Sequence, residues 1–165
     1  MTLALLIATV VPMVIEAGVA ARHDRALRAR GAIEPAEDVF GLMQLAYPGA
    51  FVAMIAEGWS RGAQEDPALV PGVVLFLLAK GLKYWAIATL GGRWTFRVLV
   101  PPGSTRIVDG PYRYLRHPNY VAVIGELAAV ALMANARVTG PIATCLFLVL
   151  IVARVRIEER ALAAR

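Results

Sequence analysis

The chain has 165 residues, 59% of them hydrophobic, and a mean hydropathy of +0.63, a composition that excludes an ordinary soluble domain. Its formal charge of +5 does not point to nucleic acid, because the arginines fall in blocks between apolar segments. The partners this pattern implies are the lipid bilayer and lipophilic small molecules.

Five apolar segments follow one another: Thr2 to Ala21, Val39 to Glu57, Leu69 to Leu90, Tyr120 to Ala134 and Val138 to Val152. A membrane helix takes roughly 17 to 25 such residues, and the first three segments meet that length. The last two are shorter and read as a helical hairpin that spans only with its flanking residues; a buried soluble hairpin is the alternative. The first segment has no basic residue before it and no small-x-small cleavage site, so it is expected to persist as a helix and not be removed as a signal peptide. Glu16 lies deep within it and should face the bundle interior. Lys80 and Lys83 in the third segment are expected to snorkel toward headgroups beside Tyr84 and Trp85, with pairing to Glu16 as the other possibility.

The loops alternate in charge. Arg22, Arg25, Arg28 and Arg30 follow the first segment, whereas Arg61, Glu65 and Asp66 leave the second loop slightly acidic. Arg93, Arg97, Arg106, Arg113 and Arg116 follow the third segment, Arg137 stands alone in the fourth loop, and the C-terminal stretch is basic again. By the positive-inside rule the N-terminus lies outside, five crossings follow, and the C-terminus is cytoplasmic. The expected fold is an all-α integral membrane protein of one domain, placed in a bacterial inner membrane. Residues 1–90 form a three-helix scaffold, 91–118 a structured cytoplasmic loop and 119–165 the hairpin with its C-terminal motif. Cys145, the one cysteine, sits mid-helix and excludes an internal disulfide; no metal-ligand set is expected.

Between Gly91 and Pro118 the chain is polar, basic and rich in Gly and Pro, while Trp94, Phe96, Tyr112 and Tyr114 argue for order. Short extended pieces are expected at Val98-Leu99-Val100 and Arg106-Ile107-Val108, around a Pro-Pro-Gly turn. The densest polar cluster, Gly110 to Tyr120, leads into the fourth helix and puts Asn119 and Tyr120 in its first turn. Backbone amides and the positive dipole end there favour a polar or anionic group. A second cluster, Arg154 to Arg160, closes the fifth helix, with Arg154 and Glu158 on one face. A hairpin brings both clusters to one side of the membrane, as a site for a polar cofactor and a greasy substrate requires. An interfacial belt of aromatic residues and arginines, with a solvated Arg154–Glu158 pair, is the bland alternative.

The run Gly-Pro-Tyr-x-x-x-Arg-His-Pro-x-Tyr from Gly110, followed by a hairpin and then Arg-x-x-x-Glu-Glu-x-x-Leu from Arg154, resembles the isoprenylcysteine carboxyl methyltransferase family. The resemblance covers roughly Tyr84 to Leu162. The upstream Tyr84-Trp85-Ala86-Ile87, Leu90-Gly91, Trp94 and Arg97-Val98 pattern is similar to a bacterial branch that methylates alkylpyrones or phenolic lipids. The resemblance implies S-adenosyl-L-methionine as cofactor, held by Tyr112, His117, Pro118, Asn119, Tyr120 and Glu158, with backbone from Ser104, Thr105, Arg106 and Ile107. It also implies that Arg154 meets the substrate, so that Arg154 and Glu158 carry the chemistry. The expected reaction is O-methylation of a lipophilic acceptor, an alkylpyrone or phenolic lipid or a prenylcysteine-like carboxylate, at the cytoplasmic face. A membrane reductase using NADPH, with a similar Arg-His-Pro-x-Tyr turn, and a non-catalytic membrane scaffold or transporter are the alternatives.

Overall fold

The computed structural model of the chain describes residues 2–34, 39–62, 67–103, 105 and 107–163. Its helices are α1 (Thr2–Ala29), α2 (Phe40–Ser60), α3 (Leu69–Leu90), α4 (Pro118–Met133) and α5 (Thr139–Ala163). Single 3₁₀ turns at Gly91–Arg93 and Gly110–Arg113 punctuate the long α3–α4 connection. The helices alternate in direction, which gathers the C-terminal ends of α1, α3 and α5 and the N-terminal ends of α2 and α4 at one end of the bundle.

Two helices run further than their apolar stretches. The basic run after Ala21 continues α1 to Ala29, because Arg, Ala and Leu are good helix formers and nothing interrupts them before Gly31. There the helix stops in a Schellman arrangement: the Ala32 N–H reaches the Leu27 carbonyl and the Gly31 N–H that of Arg28, with Gly31 at a φ of 77°. Likewise α5 does not end at Val152 but carries Arg154 and Glu158 on the same continuous helix.

Among the described residues four helical stretches are long and apolar enough to cross a membrane: Thr2–Ala29, Phe40–Ser60, Leu69–Arg93 and Thr139–Arg160. Only 17 to 22% of each stretch is buried inside the bundle, so their apolar faces have no protein to cover them and belong against lipid. The α5 helix is thus a full-length candidate, not half of a short pair. At 16 residues α4 is shorter, about 24 Å of rise against a hydrocarbon core of about 30 Å. It is also the most enclosed helix. Ala122, Val123, Leu127, Ala129, Val130 and Met133 are all buried, and packed around them lie Phe51, Met54 and Ile55 of α2 and Phe147 and Ile151 of α5. Gly72 of α3 sits so close to α4 that an added Cβ would meet Met133 Cγ at 2.8 Å.

A four-charge cluster lies in the middle of the bundle. Lys80 Nζ is 2.9 Å from Glu16 and 3.1 Å from Glu126; Lys83 Nζ is 2.7 Å from Glu16 and 3.3 Å from Glu126. The Tyr47 hydroxyl donates to Glu126 at 2.5 Å, so α1, α2, α3 and α4 all contribute. Glu16 faces the interior as its cost in lipid demands. The lysines do not snorkel: both side chains are buried, three residues apart on one face of α3, each between two carboxylates. The physical reason is Glu126, which supplies the second negative charge. With Glu16 alone, one lysine would be left uncompensated.

Among the described residues there is no strand. Val98-Leu99-Val100 does not pair with Ile107-Val108. Instead Val100 forms a single antiparallel bridge with Ile33, just past the end of α1.

Candidate functional site

A cleft of about 190 Å³ opens at the end of the bundle where the α3–α4 connection, the start of α4 and the end of α5 meet. Its floor is set by local chain chemistry. Gly110 turns the chain at a φ of 55° directly against α3, where a Cβ would meet Thr89 Oγ1 at 2.4 Å. Pro111 then starts the 3₁₀ turn that aims Tyr112 into the cleft, and the N–H groups of Tyr114 and Leu115 close on its carbonyl at 3.1 and 2.9 Å. His117 precedes α4 as its N-cap position and Pro118 opens the helix with a preset φ.

The first turn of α4 is narrower as an anion site than the sequence suggests. Pro118 has no N–H, and the Tyr120 and Val121 amides return to the His117 carbonyl at 3.1 and 3.3 Å. The side chains carry most of the recognition. The Tyr120 hydroxyl donates to Glu158 Oε2 at 3.1 Å and accepts from Arg154 Nε at 3.3 Å. The His117 ring stacks on Tyr120 with centroids 5.6 Å apart, and its nitrogens face Glu158 at 3.7 Å and Glu159 at 3.4 Å. Arg154 is 4% exposed, lines the cleft and also donates to the Phe96 carbonyl. Burial, reinforced by the Glu158 charge, pushes the Tyr112 phenol well above its usual range, so it stays a protonated donor at any physiological pH.

Of the residues singled out from sequence, Thr105, Ile107, Tyr112, His117, Pro118, Asn119, Tyr120, Arg154 and Glu158 all line this one cleft. Ser104 and Arg106 lie outside the described residues. The Thr105 carbonyl accepts from Arg93 at 3.1 Å. The segment from Trp94 to Pro101 is a wall that the sequence reading did not assign to the site. Its signals in sequence are weak: two aromatic residues, one arginine and a run of aliphatics.

The donors and acceptors suit a cofactor carrying amino, hydroxyl and sulfonium groups. Asn119 Oδ1 is buried with no hydrogen-bond partner among the described residues, which is costly unless an N–H or O–H donor arrives. Glu158 offers a carboxylate beside it, and the faces of Tyr112 and Tyr120 suit a nucleobase or a cation.

Residues 72–164 match the isoprenylcysteine carboxyl methyltransferase (ICMT) family. The chain is 31% identical over 153 residues to the uncharacterized protein YpbQ of Bacillus subtilis (strain 168), covering 93% of this chain and 91% of that one. It is 26% identical over 142 residues to an uncharacterized protein of Haemophilus influenzae, covering 86% and 83%. No solved structure matches significantly. The chain belongs to the isoprenylcysteine carboxyl methyltransferase family, and with its uncovered apolar helices it is a multi-pass membrane methyltransferase.

Proposed function

We propose that this member of the family transfers a methyl group from S-adenosyl-L-methionine to an oxygen of a lipophilic acceptor, at the cytoplasmic face of a bacterial inner membrane. One observation carries the reading: Glu158 and Arg154 from the end of α5 share a cleft with the Tyr112 to Tyr120 stretch, beside the partnerless Asn119 Oδ1. The enzymes of this family use S-adenosyl-L-methionine, which when bound supplies an electrophilic methyl carbon on a sulfonium. Glu158 accepts hydrogen bonds from its polar groups, Asn119 Oδ1 accepts another, and the Tyr112 and Tyr120 rings cover its apolar and cationic parts. The backbone of residues 104–107, of which Thr105 and Ile107 line the cleft, is the remaining cofactor contact in this reading. Arg154 orients the acceptor anion while its bonds to Tyr120 and Phe96 hold it rigid. An enolate or carboxylate acceptor is already ionised at neutral pH, so no general base is required, and alignment with exclusion of water is the main task.

The same reading places five crossings in the membrane, α4 included, with the N-terminus outside and the C-terminus inside. It is supported by the arginines of α1, the α3–α4 connection and α5, which gather at the cleft end. A hydroxyalkylpyrone, ionised as its enolate, or a prenylcysteine-like carboxylate combines a lipid tail for the apolar bundle with an anion for Arg154, whereas a phenolic lipid has a proton to lose on transfer.

The test is calorimetric titration of the purified protein with S-adenosylhomocysteine and, separately, NADPH, followed by methyl transfer to long-chain alkylpyrones in vesicles. Binding of the first ligand, weakened roughly tenfold or more by Glu158→Ala, is the expected result. Arg154→Ala should lose turnover by far more than its weaker grip on the wall costs in S-adenosylhomocysteine binding, and full turnover would remove Arg154 from the acceptor role. Binding of NADPH alone would reassign the site to a reductase.

A further inference from the structure

We propose that the end of α1 and the turn after it are a working part of the cofactor cleft, with His23, Asp24 and Glu34 acting as positioning residues for its wall. This rests on the cofactor reading above. The gripped part of the wall is the segment from Trp94 to Val100, which has one bridged residue and no helix to set its shape. Three of its residues, spaced three apart, face the cleft and are each gripped from the α1 side. His23 Nδ1 donates to the Trp94 carbonyl at 2.7 Å. Arg97 donates to Glu34 at 2.6 Å, lies 3.5 Å from Asp24, and rests on the Phe40 ring at 4.2 Å. Val100 exchanges both backbone bonds with Ile33, at 3.2 and 3.3 Å.

From the opposite side Arg154 of α5 holds the Phe96 carbonyl, between the first two grips. The wall is therefore strung between the first and last helices, and only the α5 anchor lies within residues 72–164 that match the family. The charges support positioning and not ligand binding. Arg97 is flanked by two carboxylates, and Arg28 also donates to Glu34, so the clamp is balanced and has no surplus cation for a substrate anion. Its effect is geometric: it fixes the side chains of Trp94, Arg97 and Val100 as the surface against which the cofactor lies.

Asp24→Asn/Glu34→Gln breaks the ionic grip and His23→Phe, independently, the carbonyl grip. Glu57→Ala, at the far end of the bundle, is the control. The purified proteins in nanodiscs are compared by amide exchange without ligand and by titration with S-adenosylhomocysteine. In both wall variants the amides of residues 94–100 should exchange roughly tenfold faster. The ligand should bind about tenfold more weakly and the KM for S-adenosyl-L-methionine rise in step, with kcat changed less than about twofold. The control should match wild type in all three. Unchanged exchange in both folded variants overturns the proposal, and so does faster exchange with unchanged affinity. If wild type fails to bind S-adenosylhomocysteine while exchange responds as expected, the cofactor reading falls and the holding of the wall by α1 stands.

Discussion

Gly110 is the residue on which the floor of the cleft turns. At a φ of 55°, and with Thr89 Oγ1 2.4 Å from where a Cβ would stand, Gly110→Ala combines left-handed strain with a clash. It should cost about 1–3 kcal/mol and displace Tyr112, read as a lowered thermal midpoint together with weaker S-adenosylhomocysteine binding. Glu34 gives a pH dependence. Burial pushes its carboxyl up, but hydrogen bonds and charge from Arg28 and Arg97 outweigh this and hold it below 4.5. A depressed carboxyl stabilises the fold above its unfolded value and loses that contribution as pH falls through the folded one. The protection of amides 94–100, with the intrinsic pH dependence of exchange divided out, should therefore fall as pH drops below the ordinary carboxylate range and stay level between pH 6 and 8. At this scale the cleft was largely legible: the Gly110–Tyr120 and Arg154–Glu158 clusters are dense, polar and spaced for a hairpin. Glu126 was not, because a single glutamate between Gly125 and Leu127 gives no sign of which side chains it will meet.

Among the elements, α4 departs most from what its length suggests. A stretch near 15 residues reads as a partial crossing or a soluble hairpin, whereas the structure makes it the most enclosed helix of the bundle. Burial by neighbours, which no local pattern encodes, is the physical reason. The extension of α1 was hidden differently: its charges read as a loop, although helix propensity alone favoured continuation to Ala29. At the far end, Glu57 of α2 caps α5. Its carboxylate accepts from the Thr139 amide at 2.7 Å, the Thr139 hydroxyl at 2.6 Å and the Val138 amide at 3.1 Å. Glu57→Ala removes that cap and should lower stability by about 0.5–2 kcal/mol, measured by denaturant unfolding in mixed micelles, with cofactor affinity untouched.

For the molecule as a whole, the mid-bundle cluster ties four helices together through charge and not through apolar area. Lys83→Met leaves two buried carboxylates with one lysine and should cost about 3–5 kcal/mol. Adding Glu126→Gln restores the balance, keeps an acceptor for Tyr47, and should recover most of the loss; equal destabilisation by the single and double variants in thermal unfolding would contradict this. The cluster also imposes an order on biogenesis. As the chain emerges, α1 brings one uncompensated negative charge toward the membrane. With α3 the excess becomes one positive charge, and only α4 brings neutrality. An unpaired charge at mid-membrane costs roughly 2.5–3.5 kcal/mol even on insertion scales. The first three helices thus cannot be released into lipid one at a time at equal cost. Holding them together until Glu126 arrives avoids that cost, so the short enclosed helix is the one whose arrival completes the charge balance of the bundle.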